Sequence, residues 1–169
     1  MKKFIAFFVF ISLFVGITAQ EEEFQVPKKY KIKTEEDCTK YKEDFKKCVN
    51  WLLETPLDQD VKKRKSATAF FMEWLTVTET VTVQMNTDVV KFGDDGNLMI
   101  IFMAAWAKDV LETEDNHKDI LRGSLIGINA MIDFYEKNKD VMEKNSDIEK
   151  YIKLKAKGKL EETIAKKIK

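Results

Sequence analysis

The chain is poor in the side chains on which most catalytic and metal sites depend. Its 169 residues include one histidine, His117, and two cysteines, Cys38 and Cys48. Ser-His-Asp and Cys-His arrangements need an imidazole base, and zinc usually takes four ligands. The glycine-rich phosphate loop, the nucleophile elbow and the dinucleotide-binding turn are all missing from the sequence. We therefore predict a non-enzymatic protein without cofactor or metal, and a hydrolase that uses carboxylates alone is the remaining enzymatic alternative.

An excess of charge of either sign is also absent. Lys and Arg number 29, and Asp and Glu number 29, so there is no electrostatic reason to expect nucleic acid as a partner. The distribution is uneven, because Lys153–Lys169 carries seven lysines against two glutamates. Such a basic C-terminal segment could touch an anionic surface, although the commoner interpretation is the solvated face of a terminal helix.

Long apolar runs are scarce, and the run at the N-terminus has the form of a secretory signal. Residues 1–19 contain a Lys2-Lys3 head, an apolar stretch and a small residue at Ala19. The stretch is shorter than the roughly 20 residues that a spanning helix needs. The sequence predicts cleavage near Ala19–Gln20, a periplasmic or secreted protein, and no transmembrane segment in the mature chain.

The remainder of the chain has the periodicity of a single helical domain. Residues 20–33 predict an extended polar leader. Residues 34–169 predict one domain that is large enough to bury a core of its own. The expected architecture is all-α, a compact bundle of about five helices with one short extended segment.

The first two helices have clear local signals. Thr34 predicts the N-cap of a helix that ends near Glu54, because Pro56 disfavours helical geometry before it. Asp58 predicts the cap of a second helix. The apolar face predicted for this second helix contains Val61, Thr68, Phe71 and Leu75, widened by Phe70 and Trp74.

After the second helix the period of the sequence changes. Thr76–Met85 alternates threonine with valine and is rich in β-branched residues, which favours extended structure. We predict one short extended segment near Thr80–Met85. It has no clear partner strand, so it either crosses over the helices or pairs across a dimer.

The third helix follows an acidic loop that contains two glycines. Counting a calcium-binding loop from either glycine puts residues without side-chain oxygens at ligand positions, so the loop predicts a cap and not an ion site. Asp95 or Asn97 can accept the free N–H groups of a helix that begins after Gly96 and ends near Thr113. Leu98–Ala107 is half the length that a bilayer requires and predicts the central helix of the bundle.

Two more helices and a short last one complete the chain. The fourth helix is predicted from about His117 to Asn138, and the fifth from Ser146, which forms a capping box with Glu149. Gly158 predicts the end of the fifth helix. The apolar stripe of the last helix consists of Leu160, Ile164 and Ile168.

Cys38 and Cys48 can form at most one disulfide. An extracytoplasmic compartment is oxidising, which favours a bridge. Ten residues of continuous helix separate the two Cα atoms by about 15 Å, whereas a bridge needs less than about 7 Å. Either the first helix is interrupted or the thiols are free. Because both cysteines fall on its apolar face, we predict free, buried thiols that act as small hydrophobes.

His117 follows Glu114 at the Glu-x-x-His spacing of di-iron carboxylate bundles. Such sites need the motif on two helices, and the chain has no second histidine. The surrounding TEDNHKD segment is typical of a helix connection in which Asp115 or Asn116 caps the next helix. We therefore predict a solvated loop histidine.

The fourth helix carries a ridge of small residues. Gly123 and Gly127 lie four residues apart and Ala130 continues the ridge, while Ala104 and Ala105 give the third helix a matching small surface. Each glycine costs a helix interior up to about 1 kcal/mol relative to alanine. Close backbone-to-backbone packing of the two helices would explain that cost, and a ligand groove is the alternative.

Two functions fit a sequence with a targeting signal, a core and few reactive groups. The first is an interaction or structural domain outside the cytoplasm, with an unidentified protein as its partner. The second is a carrier of an apolar small molecule or lipid in the helical core, because methionine side chains adapt to irregular ligands. The methionines concerned are Met72, Met99, Met103 and Met131. Their helical spacing is more typical of ordinary core positions.

Cleavage of the predicted signal gives a defined product. When the protein is expressed with its natural N-terminus in a secreting host, it should lose residues 1–19 and begin at Gln20. The intact mass of the protein in the extracytoplasmic fraction measures this. A full-length mass in that fraction would contradict the prediction.

Overall fold

The computed structural model describes residues 24–91, 95–113 and 119–168, which form a bundle of α-helices. Over these ranges there are seven helices and no strand. Their bounds are α1 Glu35–Lys40, α2 Lys42–Glu54, α3 Val61–Val77, α4 Gly96–Thr113, α5 Ile120–Lys137, α6 Ser146–Ala156 and α7 Leu160–Ile168. The predicted all-α class is confirmed, whereas the predicted count of about five helices is too low.

The first predicted helix is in fact two helices, α1 and α2, that meet at Tyr41. Its start is confirmed, because Thr34 Oγ1 accepts the Asp37 N–H and Asp37 Oδ2 accepts the Thr34 N–H. At Tyr41 the backbone departs from helical geometry, with φ −99° and ψ 12°. The Cys38 carbonyl, which a continuous helix would use for the N–H four residues on, accepts the indole N–H of Trp74 at 2.9 Å. This tertiary contact favours a break in a segment that local propensity makes continuous.

The inner face of α3 differs from the face that the sequence predicts. Its N-cap is Asp60, in the left-handed region at φ 48°, and not Asp58; the Asp60 side chain makes no capping bond. Val61, predicted to lie on the apolar face, is exposed. The buried residues of α3 are Arg64, Ala67, Phe70, Phe71 and Trp74. The inner face therefore includes a charged position, which apolar periodicity does not predict.

α4 is the central helix, as predicted. Every residue from Ile101 to Ala107 is buried, and the helix packs against both α2 and α5. Its cap is Asp95, whose Oδ1 accepts the N–H groups of Asn97 at 3.0 Å and Leu98 at 3.2 Å. A helix that is apolar around most of its axis needs cover on most sides, and α4 has it. None of the helices in the described ranges is long and apolar enough to cross a bilayer.

The caps of α5 and α6 differ from those predicted. α5 begins after Asp119, whose Oδ1 accepts the N–H three residues on at 3.0 Å; the predicted caps, Asp115 and Asn116, lie outside the described residues. Asn145 Oδ1 accepts two N–H groups of the first turn of α6, so the predicted Ser146 cap is wrong. Asp, Asn and Ser are all strong N-cap residues, and local sequence does not decide between close neighbours.

Gly158 ends α6, as predicted. Its φ of 64° lies in the left-handed region, where glycine has no Cβ to clash. The Gly158 N–H donates to Lys155 O at 3.0 Å and the Lys159 N–H donates to Leu154 O at 2.9 Å, which satisfies carbonyls at the end of the helix. The apolar stripe predicted for α7 packs on the core, and it consists of Leu160, Ile164 and Ile168.

Thr80–Met85 lies in the connection between α3 and α4 and forms neither helix nor strand. Val81 is buried and Val83 is partly buried, so alternate side chains face the helices. Farther on, the hydroxyl of Tyr151 on α6 donates to Val89 O at 2.6 Å, and burial raises the pKa of this tyrosine to about 12. The connection is a crossover packed on the helices, with no ladder in the part of the chain that the structure describes.

The leader is packed on the bundle over its described part, residues 24–33. Phe24 and Ile32 are buried. The Ile32 N–H donates to Glu73 Oε1 of α3 at 3.2 Å, and the ring centroids of Phe24 and Trp51 lie 6.2 Å apart. The described part of the leader therefore makes more apolar contacts with the bundle than its polar composition predicts.

Gly123 and Gly127 allow α5 to lie directly on two aromatic rings of α4. A Cβ at Gly123 would lie 2.1 Å from Cε2 of Trp106, and a Cβ at Gly127 would lie 2.4 Å from Cδ2 of Phe102. Real Cβ atoms essentially never come within 3.0 Å of such neighbours. Both positions therefore require glycine while the rings keep these places.

The alanines predicted to face these glycines are not their nearest neighbours. The atoms nearest each added Cβ belong to Trp106 or Phe102, and not to Ala104 or Ala105. Ala104 and Ala105 are buried on α4, and Ala130 is partly buried on α5. The two helices thus pack with aromatic rings of α4 against the backbone of α5, instead of backbone against backbone. The rings also fill the space in which a ligand groove was the alternative prediction.

Gly127→Leu should destabilise the fold, because its side chain would displace the Phe102 ring. Overpacking a core typically costs about 1–3 kcal/mol, and moving a buried ring puts this variant at the upper end. Urea unfolding of the purified variant measures the loss. The control is Gly96→Ala, since nothing lies within 4 Å of a Cβ there; it should change the free energy of unfolding by less than about 0.5 kcal/mol. Equal stability of the two variants would contradict the assigned packing.

Candidate functional site

One end of the bundle carries two adjoining grooves, which together are called the end surface. The first, the α3 groove, has a volume of about 360 Å³ and is lined by Leu57, Val61, Arg64, Lys65, Thr68 and Asn97. The second, the loop groove, has a volume of about 400 Å³ and is lined by Leu57, residues 95–97 and residues 141–145. Because Leu57 and Asn97 belong to both grooves, the two share a wall.

Each groove of the end surface has an exposed apolar side chain in its lining. Val61 in the α3 groove is 63% exposed, and Val141 in the loop groove is 50% exposed. Over the described residues, the other exposed large apolar side chains are Met72 and Met85. Exposed apolar side chains gathered beside grooves are typical of surfaces that contact another molecule.

Asn138 holds together the two loops that form the end surface. Its buried side chain accepts the Leu57 N–H at 2.6 Å through Oδ1 and donates to Phe134 O at 2.7 Å through Nδ2. Its carbonyl accepts the N–H groups of Val141 and Met142, both at 3.0 Å. One residue therefore fixes the loop after α2 and the loop after α5 in one place.

Arg64 fixes the α3 side of the same end. Its buried guanidinium donates to three carbonyls at the end of α2: Leu52 at 3.4 Å, Thr55 at 2.5 Å and Pro56 at 3.3 Å. The guanidinium carbon also lies 5.3 Å from the ring centroid of Trp51 and 5.6 Å from that of Phe134. Burial lowers the pKa of Arg64, but the group stays charged because the ordinary pKa of arginine is so high.

The α3 groove has a cationic lining. Arg64 and Lys65 line it and no carboxylate does. Over the residues that the structure describes, neither side chain has an ion pair with an acid. Asp95, close to Asn97 in sequence, has its carboxylate bonded to N–H groups of the first turn of α4. The positive charge in the groove is thus not offset by an acid in its lining, and it favours an anionic group there.

A third groove, between α2 and α4, has different chemistry. Its volume is about 410 Å³, and it is lined by Lys46, Val49, Asn50, Lys108, Leu111 and Glu112. Each lysine has a carboxylate on its own helix, at 2.9 Å for Lys46 with Glu43 and at 3.8 Å for Lys108 with Glu112. Val49 and Leu111 are buried. This groove therefore offers neither an exposed apolar anchor nor an unbalanced charge.

Cys38 and Cys48 are free and buried beside α3. The Cys38 thiol donates to Trp74 O at 3.8 Å and the Cys48 thiol donates to Ala67 O at 3.4 Å. Burial, with the nearby carboxylates of α1, raises the pKa of Cys38 to about 11, and burial alone raises the pKa of Cys48 to about 12. Both thiols act here as small buried groups and not as nucleophiles. The break at Tyr41 interrupts the first helix without joining them.

The remaining candidates from the sequence give no site within the described residues. His117 and Glu114 lie outside the described residues. Over the residues described, no group of three or more His, Cys, Asp or Glu side chains is arranged to hold a metal ion. The four methionines named for a carrier line none of the three grooves.

The basic C-terminal segment comprises the end of α6, the turn after it and α7. Several of its lysines have polar partners: Lys155 with Asp133 at 3.1 Å, Lys166 with Glu162 at 2.6 Å and Lys167 with the Tyr151 hydroxyl at 3.0 Å. Lys153, Lys157 and Lys159 are exposed. Three lysines of this segment therefore make contacts within the fold, and three others face the solvent.

The end surface is absent from the sequence-based candidates, and for a clear reason. Leu57, Asn97 and Val141 lie in three connections or helix ends far apart in the chain, and none of them belongs to a motif. Arg64, in contrast, can be recognised from the sequence. It lies three residues before the buried Ala67 and belongs to the series of positions, three or four residues apart, that the core residues of α3 occupy. A cation in such an apolar row indicates a buried charge with polar partners.

The buried thiols should resist alkylation in the folded protein. Because the thiolate is the reactive form, and its fraction falls about tenfold for each pH unit below the pKa, both cysteines should react slowly with iodoacetamide at pH 8. Intact mass should show no adduct under native conditions and two adducts after denaturation without reductant. A chain about 2 Da lighter that takes up no adduct would reveal a disulfide and contradict the prediction.

Comparison with known proteins gives no precedent for this arrangement. No protein-family model matches the chain, no curated protein matches it, and no solved structure matches it. A functional assignment therefore has to be argued from the end surface itself.

Proposed function

We propose that the mature chain is a non-enzymatic interaction domain that acts outside the cytoplasm and docks a partner protein on the end surface. The observation that carries this proposal is the exposure of Val61 and Val141 beside grooves whose walls are fixed from below by Arg64 and Asn138. Association favours apolar side chains that are already held in place, because less side-chain and loop entropy is lost on binding. The extracytoplasmic location rests on the signal-like pattern of residues 1–19.

The chemistry of the described residues supports binding more than catalysis. Burial shifts the pKa values of Arg64, Tyr30, Tyr151 and the two cysteines. All of these side chains except that of Tyr30 bond to backbone carbonyls within the fold, and the ring of Tyr30 packs edge-on against that of Phe70. A general acid or base would need to reach a substrate in a groove. These five groups fit structural roles, which supports the end surface as the part of the molecule best suited to a partner.

A carrier of an apolar ligand has less support. Of the methionines that suggested it, Met103 and Met131 are buried in the core and Met99 is partly buried against it. Met72 is a surface residue outside the grooves. Contact between the C-terminal lysines and an anionic surface stays a prediction that is independent of the end surface. Neither of these two alternatives is supported by an observation comparable to the exposure of Val61 and Val141 beside the grooves.

Val61→Asp and Val141→Asp should each weaken partner binding while leaving the fold intact. Both side chains are exposed, so the free energy of unfolding should change by less than about 0.5 kcal/mol. A charge placed at an apolar anchor should lower retention of the partner by about tenfold or more. Quantitative mass spectrometry of proteins that the immobilised mature chain retains from the extracytoplasmic fraction measures the difference.

Met72→Asp is the matched control. Met72 is also exposed, at 37%, and lies on the same helix as Val61, but it lines neither groove of the end surface. This variant should retain the same proteins as the unaltered chain. If all three variants behave alike, whether in keeping or in losing the retained proteins, the end surface is not the docking site.

A further inference from the structure

The α3 groove brings three kinds of chemistry together in one lining. Leu57 and Val61 supply apolar surface, and Arg64 and Lys65 supply positive charge. Thr68 and Asn97 supply a hydroxyl and an amide. Neither of these two side chains has a hydrogen bond over the part of the chain that the structure describes, so both remain available to a ligand.

The positive charge in this groove is fixed in place. Arg64 is held by three carbonyls and by the faces of two aromatic rings, so it cannot swing away to meet a distant acid. Lys65, beside it on α3, is exposed, and a lysine ammonium on its four-carbon stem can reach an incoming group. A fixed buried cation with a flexible cation at its edge suits a carboxylate, which Lys65 can contact directly while Arg64 adds its field.

We propose that the α3 groove binds the free C-terminal carboxylate of a partner chain that ends in an aliphatic residue. This inference rests on the proposed function, since it names the part of the partner that the end surface takes. The carboxylate pairs with Lys65 above Arg64, and the terminal side chain packs on Leu57 and Val61. The last peptide group bonds to Thr68 and Asn97.

A peptide terminus fits better than a fatty acid or an internal acidic side chain. A C-terminal residue carries its carboxylate, its side chain and a backbone N–H on one carbon atom, which matches the three kinds of lining in this groove. The groove, at about 360 Å³, is near the small end of ligand sites. A fatty acid would leave the amide and the hydroxyl without partners, which disfavours it.

Calorimetric titration of the mature chain with matched probes tests the proposal. The probes are a short acetylated peptide that ends in leucine as the free acid, the same peptide as its C-terminal amide, and hexanoate. The free acid should bind, and the amide should bind at least about tenfold more weakly, because it lacks the charge-assisted pair with Lys65. Hexanoate should bind more weakly than the peptide acid.

Two lysine variants on the same helix separate the groove from general charge. Lys65→Glu reverses a charge in the lining and should weaken binding of the peptide acid by at least about tenfold. Lys62→Glu reverses an exposed charge outside the lining, and salt screening should keep its effect within about twofold. In an amide NMR spectrum, signals of Thr68 and Asn97 should shift on addition of the acid, and the amide should need at least about tenfold higher concentration to give the same shifts.

The outcomes distinguish this inference from the proposed function. Equal binding of acid and amide, equal effects of the two lysine variants, or hexanoate binding as tightly as the peptide acid would each overturn the C-terminal carboxylate. Absence of binding by the acid would overturn it as well. If Val61→Asp and Val141→Asp nevertheless lose the retained partner while Met72→Asp keeps it, the docking function stands with a different contact chemistry.

Discussion

The contact between two glycines of α5 and two aromatic rings of α4 is the constraint on which the bundle depends. Gly123 lies against Trp106 and Gly127 lies against Phe102, and both rings are fully buried. α4 is covered by α5 and α2, while α6 and α7 pack on α5. A larger residue at either glycine would push α5 away from the central helix together with the helices that it supports. The loss of helix propensity at the glycines, up to about 1 kcal/mol each, is offset by this close contact.

Buried polar side chains then determine the shape of the end surface. Arg64 binds the carbonyls at the end of α2, and Asn138 bonds to the loops on both sides of the shared wall. Each of these groups would be costly to bury without partners, so the loops have to take the positions that satisfy them. Leu57, Val61 and Val141 are thereby held at the surface by polar contacts beneath them. The surface is organised before any partner arrives, which lowers the entropy lost on docking.

The sequence predicts the parts of this fold that depend on local chemistry. Thr34, Asp95 and Gly158 act at helix ends as their residue types indicate, and the apolar run of α4 lies at the centre of the bundle. The break at Tyr41 and the inner face of α3 depend on bonds between distant residues, so no local pattern predicts them. The candidate site also depends on bonds between distant residues, because Asn138 joins loops more than eighty residues apart in the chain.

The distribution of ionic partners explains why positive charge matters at one groove in particular. Both lysines of the α2–α4 groove, and Lys155 and Lys166 of the C-terminal segment, have carboxylate partners on neighbouring turns or helices. Lysines in the last turns of α6 and α7 also suit the helix dipole. Arg64 and Lys65 differ, because no carboxylate lines their groove. Arg64 cannot be exchanged for a neutral residue without leaving the carbonyls at the end of α2 unsatisfied. The bond that completes the fold therefore also keeps the α3 groove positively charged, and any partner of this surface has to accommodate that charge.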